Sequence, residues 1–373
     1  MALPDILYHG SVKDIRGSNQ DSEPLLFEFS DRYSVFDWGE MPDTITGKGN
    51  ALAFLSWLFF DLLENAGVKT HMIGLIDEKG HLLSREEVFT KETNLMMVQK
   101  KKVIPPTVEQ TENGLVWNYT KYQEKILDAL VPLEVIFRFA IPKGSSLLKR
   151  VGDAEYCKTL GLDTPPKEGD VFETPVIEFS TKLENYDRYL SYDYAKDIAG
   201  LSDHEFNTLV ERTTQIAVHL KEIFVQTGVS LLDGKFEYAF SDALDKNGER
   251  DFVLIDSIGP DELRLTFDGV QLSKQCLRDF YTGSQWEEAV EQAKSIADER
   301  GVEDWKSICV DELKQTPPAL DPSLKETVGM LYTGVAKALV GTYYDDTYYY
   351  KEAWDLPIVA AMLKKWKEEN GKA

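Results

Sequence analysis

Three charged residues stand at every second position in the stretch Asp233-Gly234-Lys235-Phe236-Glu237, directly after Leu231-Leu232. Successive side chains of an extended chain point to opposite faces, so Asp233, Lys235 and Glu237 share one face while Phe236 takes the other. Downstream, Asn247-Gly248 lies between two alternating runs and predicts a tight β-hairpin. With those two residues as the loop, Ala239 faces Asp256 and Glu237 lies diagonally from Asp256, a backbone separation of roughly 7–8 Å. Two carboxylates so placed can share a divalent cation, which makes Glu237 and Asp256 a candidate magnesium site. A solvent-facing strand pair with scattered charges is the other reading, and a three- or five-residue loop would reverse the parity.

Two basic clusters accompany these carboxylates. Between Arg138 and Arg150 the chain runs through Gly144, Ser145, Ser146 and Lys149. Free amides at a helix start, serine hydroxyls and a guanidinium together make a phosphate receptor, although an ordinary capped helix has the same composition. The second cluster holds Asp261 and Arg264 in GPDELR, then Lys274 and Arg278 in LSKQCLRDF. On a helix Lys274 and Arg278 fall on one face, where like charges repel unless an anion lies between them.

Composition bounds the rest. With 373 residues, 43% of them apolar, the chain can form two domains or one large domain with an extension. A formal charge of −23 disfavours nucleic acid and anionic membrane as partners, and it requires that any anionic substrate meet a local concentration of Arg and Lys. Cys157, Cys276 and Cys309 form no C-x-x-C pair, which fits a reducing compartment and a cytoplasmic location. The beginning MALPDILYHG lacks an export pattern, and the most apolar stretch, LAFLSWLFFDLL, is short and contains Asp61. The five histidines show no metal-ligand spacing, and neither G-x-S-x-G nor a Walker-type loop is present.

The elements that must position these residues follow from pattern. Residues 24–37 read as a strand entering a turn, and 50–67 as a buried helix stopped by Gly67. LEVIFRFAI and VIEFS are strands, and a helix at about 202–227 precedes the hairpin. The polar stretch from Val108 to Pro132 reads as an insertion with some helix. After about residue 284, three segments suit amphipathic helices. The tyrosine-rich run from Thr342 to Trp354 packs the last helices or makes a subunit contact in preference to stacking on a ring.

Several phrases together resemble one family. YHGSVKDI near the start, SDRYSVFD and GKG at 30–49, VPLEVIFR and GSSLLKR at 131–150, LLDGKFEYAF at 231–240, VLIDSIGPDELRL at 253–265 and SKQCLRDF at 273–280 occur in the order and approximate spacing of SAICAR synthetase. The resemblance covers about residues 7–280. It implies an enzyme that joins the carboxylate of the imidazole nucleotide CAIR to the amine of L-aspartate, with ATP converted to ADP and phosphate. It also implies an α+β, two-part fold similar to ATP-grasp and kinase-like architectures. The ATP cleft would lie between a smaller N-terminal β-rich domain, 1–135 with an insertion near 80–130, and a larger α/β domain, 136–283. A helical extension, 284–373, would pack on this core.

Carried over motif by motif, Lys13 meets ATP phosphates, while Glu237 and Asp256 hold magnesium and nucleotide. Arg138 and Ser146 receive the CAIR phosphate with Arg264 and Arg278. Asp233, Lys235 and Asp261 line the reacting centre. Arg150, Lys182 and Lys274 join the substrate-binding set, and Asp37 and Asp187 are further candidates. The chemistry wants these residue types, because a carboxylate becomes an acyl donor only after phosphorylation, and cations must neutralise the phosphates meanwhile.

The chain departs from the family pattern at Ser11, where lysine is usual, and at Ser257, where the usual Asp-Glu pair becomes Asp-Ser. Gly259 replaces a serine or threonine, and Phe267-Asp268 replaces Trp-Asp. Those departures keep two other readings in view, a small-molecule kinase of similar architecture and a noncatalytic nucleotide-binding regulator. The oligomeric state is left open by the sequence.

Overall fold

Short alternating segments at the N-terminus pair into a five-stranded antiparallel sheet: β1 (Ile6–His9), β2 (Lys13–Arg16), β3 (Leu25–Phe29), β4 (Met72–Leu75) and β5 (Leu95–Val98), ordered β1-β2-β3-β5-β4. In the computed structural model, residues 3–372 are described except 19, 21–22, 112–113, 185–186 and 345–348. The helix Lys48–Asn65 lies against this sheet, and every residue from Ala51 to Phe60 is buried. Its apolar character runs all round because the helix Pro322–Tyr343 covers the side away from the sheet.

Residues 107–118, expected as an insertion with some helix, form instead a two-stranded hairpin, β6 (Thr107–Thr111) with β7 (Gly114–Asn118). A short 3-10 turn, Thr120–Glu124, follows. β-Branched and aromatic residues in this stretch, Thr107, Val108, Thr111, Val116 and Trp117, favour strand over helix in spite of its overall polarity.

The second sheet carries the motifs. It comprises β8 (Leu130–Ala140), β9 (Val171–Thr181), β10 (Tyr189–Leu190), β11 (Ser230–Leu244), β12 (Arg250–Ile255), β13 (Leu263–Phe267) and β14 (Val270–Gln271). The order is β10-β9-β8-β11-β13-β14, and β12 pairs with the far half of the long β11. All pairings are antiparallel. The helix Asp203–Val225 covers one face, opened by a capping box in which Ser202 and Glu205 satisfy each other's backbone amides. Glu205 also forms a fully buried ion pair with Arg250 at 2.7 Å, which ties the start of β12 to that helix. The two sheets meet where the His71 amide donates to the Leu254 carbonyl at 3.0 Å and the Leu254 amide to Lys69 at 2.9 Å.

The hairpin joining β11 and β12 differs from the two-residue loop expected. The Asp245 amide donates to the Glu249 carbonyl at 2.8 Å, so residues 246–248 form the loop, with Gly248 at φ 76°. The Asp245 carboxylate accepts from the amides of Asn247 (2.8 Å) and Glu249 (2.9 Å), a local bond pattern that favours the longer turn. A further irregularity between Phe240 and Leu244 shifts the register. Ala239 therefore faces Val253, and Glu237 faces Ile255, three residues away from the expected pairing.

The C-terminal part is helical as its periodicity predicts, with helices Gln275–Tyr281, Gln285–Arg300, Pro322–Tyr343 and Leu356–Glu369. One continuous apolar core runs from Phe27 to Trp366, and the boundary expected at 135 falls inside β8. In the tyrosine-rich run, Tyr344 packs on Phe89 and Tyr350 on Phe54, with ring centres 4.7 and 5.2 Å apart. Residues 345–348 of that run lie outside the described residues. Among the described residues no helix is long and apolar enough to cross a membrane.

Candidate active site

Register on the central strands assembles the first part of the site. On β11, Asp233 faces Arg138 of β8 on one side and Arg264 of β13 on the other, and Glu237 faces Glu134 of β8. Gly234 separates Asp233 from Lys235 because neighbouring side chains fill the space a Cβ would need. Leu263 and Phe137 would lie only 2.6 and 2.7 Å from it. Thus the charged face of β11 rests on an apolar underside that tolerates no side chain at 234.

Above this face opens a cavity of about 530 Å³ between the two sheets, lined among others by Lys13, Lys182, Lys235, Glu237 and Asp256. Lys182 pairs with Glu237 at 2.7 Å and with Glu134 at 3.2 Å, and Lys235 pairs with Glu134 at 2.5 Å. Burial pushes the Glu237 carboxyl above its ordinary range, and repulsion from Asp256 adds to the effect. For Asp256 burial acts in the same direction, but Lys13 and Lys182 outweigh it and hold the carboxyl well below the usual range. The two acids reach one cavity by a route the hairpin count did not foresee. β12 ends at Ile255, and Asp256 adopts a left-handed backbone (φ 68°), which turns its side chain out of strict alternation. A non-glycine residue held in that conformation is strained, and such strain concentrates at functional sites.

Lys13 bridges the sheets, paired with Asp256 and donating to the Ser257 hydroxyl at 2.8 Å. Behind them His71 contacts the Asp256 carbonyl at 3.0 Å. Burial drives the His71 pKa down to about 4, so the ring is neutral at physiological pH.

A smaller pocket of about 110 Å³ adjoins the cavity and shares Lys235, Asp261, Glu262, Lys274 and Arg278 with it. Lys274 and Arg278 are one turn apart, as the spacing predicts, with the Arg278 amide donating to the Lys274 carbonyl at 3.2 Å. Neither forms an ion pair among the described residues. Burial lowers the pKa of both, and Arg264 beside Arg278 lowers it further. Such a pair of desolvated, unneutralised cations is a ready anion receptor.

Arg138 stands at the back of this pocket in a dense network. It donates to Glu178 at 2.5 Å, to Asp233 at 3.0 Å and to the Ser146 hydroxyl at 3.1 Å. Ser146 also meets the Tyr189 hydroxyl at 3.0 Å, and Arg264 lies 3.5 Å from Asp233. Arg150 is held by Glu178 at 2.5 Å and stacks on the Tyr189 ring, 3.3 Å from its centre. Ser146 opens a short 3-10 turn, Ser146–Lys149, in place of the helix start that was expected. Lys149 is exposed and stands apart from the cluster.

The structure brings Lys13, Lys182, Lys235, Glu237, Asp256, Asp261, Lys274 and Arg278 to the larger cavity, while Asp233 and Arg264 line the smaller pocket. Arg138, Ser146 and Arg150 line neither and join through Asp233. Asp37 reaches the cavity rim, exposed and paired with Lys294 at 3.0 Å. Asp187 is exposed beside residues 185–186, which lie outside the described residues.

Several participants escaped the sequence reading. Glu134 and Glu178 are buried acids in otherwise apolar strands, a signal present in LEVIFRFAI and VIEFS. Lys48, in the GKG phrase, is fully buried and pairs with Asp261 at 2.7 Å. Tyr332, from the C-terminal helix, donates to the other oxygen of Asp261 at 2.6 Å, and no local feature of its helix announces that contact. Burial favours the neutral form of Asp261, but Lys48 and Lys274 prevail and keep its carboxyl below the ordinary range.

Comparison with known proteins agrees with this geometry. The family model for SAICAR synthetase matches residues 6–293. A relative from Archaeoglobus fulgidus is named provisionally as a phosphoribosylaminoimidazole-succinocarboxamide synthase. It is 39% identical over 349 residues, covering 92% of this chain and 97% of its own length. The synthase of that name from Thermoplasma acidophilum is 28% identical over 298 residues, 78% of this chain and 87% of its own. Among solved structures, a SAICAR synthetase in complex with ADP is 26% identical with a TM-score of 0.52, covering 84% of this chain and all of its own. The Saccharomyces cerevisiae SAICAR synthase complexed with SAICAR shares the fold at 23% identity, with a TM-score of 0.58 over 92% of this chain and 96% of its own. With its motifs gathered on one charged face between two sheets, and with a family match across most of its length, the chain belongs to the SAICAR synthetase family.

Proposed function

We propose that this chain joins CAIR to L-aspartate to form SAICAR, with ATP converted to ADP and phosphate through an acyl phosphate of CAIR. The observation that carries this reading is the pairing of two adjoining spaces. One is lined by acids and lysines suited to a metal-bound triphosphate, and the other by Arg264, Lys274 and Arg278, the last two without ion pairs among the described residues, suited to a sugar phosphate or a dicarboxylate. Every substrate is an anion, and an otherwise acidic chain brings Lys13, Lys182, Lys235, Lys274 and Arg278 to this one cavity.

Glu237 and Asp256 supply hard carboxylate oxygens to one cavity, and their mutual repulsion is the mark of acids sharing a space that takes further positive charge. Both would hold magnesium as its protein ligands. Magnesium bound with ATP would neutralise the phosphate oxygens. Lys13 and Lys182 hold the two carboxylates and stand ready to accompany the phosphates. Lys235, on the wall common to both spaces, faces the transferring phosphoryl group. Arg264 and Arg278 meet the ribose phosphate, and Arg138 with Ser146 fixes that end of the pocket through Asp233.

The CAIR carboxylate attacks the terminal phosphorus of ATP and ADP departs. The aspartate nitrogen then attacks the acyl carbon, and the C–O bond to phosphate breaks. Positioning and charge neutralisation supply most of the catalysis. Buried free thiols at Cys157, Cys276 and Cys309 suit a reducing cytoplasmic setting. A coupled ADP-release assay tests the reading. Release should require CAIR and aspartate together with magnesium, and undiminished release without either substrate would overturn it.

A further inference from the structure

The larger cavity is lined by five carboxylates, Asp37, Glu237, Asp256, Asp261 and Glu262. Four are held in ion pairs, by Lys294, Lys182, Lys13 and Lys48 respectively. Glu262 alone has no ion pair among the described residues. It lines both the larger cavity and the smaller pocket, and so stands where the activated carboxylate of one substrate must meet the amine of the other. Its Oε1 accepts the Ser257 hydroxyl at 3.2 Å, and that hydroxyl also receives a bond from Lys13.

We propose, resting on the ligase reading above, that Glu262 is the proton acceptor for the incoming amine. Aspartate arrives as an ammonium ion, which has no lone pair with which to attack. Glu262 removes one proton and becomes a neutral acid. The freed nitrogen forms a bond to the acyl carbon, the C–O bond breaks, and phosphate leaves with that electron pair. A second proton passes from nitrogen to the departing phosphate, which leaves one hydrogen on the amide. Asp261 cannot take the role, because Lys48 and Tyr332 occupy its two oxygens.

The groups facing Glu262 are Asp261 on its own loop, Asp256 at the end of β12, Lys13 from β2, and Lys274 before the helix Gln275–Tyr281. Burial is the largest influence and repulsion from Asp261 the next. Together they raise the Glu262 carboxyl to about 7, well matched to deprotonating an amine near neutrality.

The test uses the full-length enzyme with CAIR, ATP and magnesium, and either aspartate or hydroxylamine, an amine already unprotonated at neutral pH. In Glu262→Gln, aspartate-dependent SAICAR formation should fall by about 100-fold or more. Hydroxamate formation should stay near the wild-type rate, and the acidic limb near pH 7 in the wild-type aspartate profile should vanish. Equal losses with both amines would overturn the role, as would wild-type rates with aspartate. Retained hydroxamate formation also shows that the variant is folded and makes the acyl phosphate. If the wild-type enzyme forms neither SAICAR nor hydroxamate, the ligase reading itself fails.

Discussion

Replacing Lys48 by methionine isolates one buried charge that links three parts of the chain. Its ammonium is inaccessible to solvent, lies 2.7 Å from Asp261 and also donates to the Arg32 carbonyl at 3.0 Å. Methionine preserves most of the side-chain length, so packing changes little while Asp261, only 7% exposed, loses its counter-ion. Breaking a buried pair by removing one partner costs about 3–5 kcal/mol, because the remaining charge is stranded. The Tyr332 hydrogen bond persists and keeps the cost within that range. An unfolding entropy of about 2.1 cal/mol/K per residue gives roughly 0.8 kcal/mol/K for a chain of this length, so the melting temperature should fall by about 4–6 °C. Scanning calorimetry on Lys48→Met, Asp261→Asn and the double variant at neutral pH measures the effect. The double variant, with no stranded carboxylate, should recover more than half of the loss in Lys48→Met. A single-variant shift below about 1 °C, or losses that simply add, would refute the argument that Asp261 depends on Lys48.

Two more expectations follow from the site. Arg278→Ala should raise the CAIR concentration needed for half-maximal rate by about 10- to 100-fold, the loss of one charge-assisted phosphate contact worth about 1.5–3 kcal/mol. Titration of CAIR at saturating ATP and aspartate checks this, and an unchanged requirement would remove Arg278 from the phosphate site. Glu262 should also make stability depend on pH. Its carboxyl is raised from 4.5 to about 7 in the folded protein, so the folded state binds the proton more tightly, and stability declines as pH rises between those values. The full decline is about 3 kcal/mol at 1.36 kcal/mol per pH unit. Denaturant unfolding of wild type and Glu262→Gln at pH 5 and pH 8 should show the variant gaining on the wild type as pH rises, and a pH-independent difference would sink the assignment.

Much of the architecture was legible because it is encoded by local pattern. Apolar runs marked β8 and β9, period-two alternation marked β11, and the amphipathic segments after residue 284 became helices. The hairpin register was misread because Asn247-Gly248 is a strong two-residue turn signal, whereas Asp245 caps the loop with its own side chain and enlarges it. Charged phrases disclosed most of the site, since a lysine or arginine beside an acid at strand spacing is conspicuous at any distance along the chain.

By itself, the sequence determined the residue types of the chemistry, the family they resemble and the alternation that puts Asp233, Lys235 and Glu237 on one face. Only the tertiary structure decided which acids are neutralised and which are free. Lys48 and Tyr332 reach Asp261 from helices 213 and 71 residues away in sequence, and Glu262 forms no ion pair among the described residues. The reason is physical. Alternation and periodicity are properties of neighbouring residues, whereas desolvation and ion pairing depend on what the folded chain brings across a cavity.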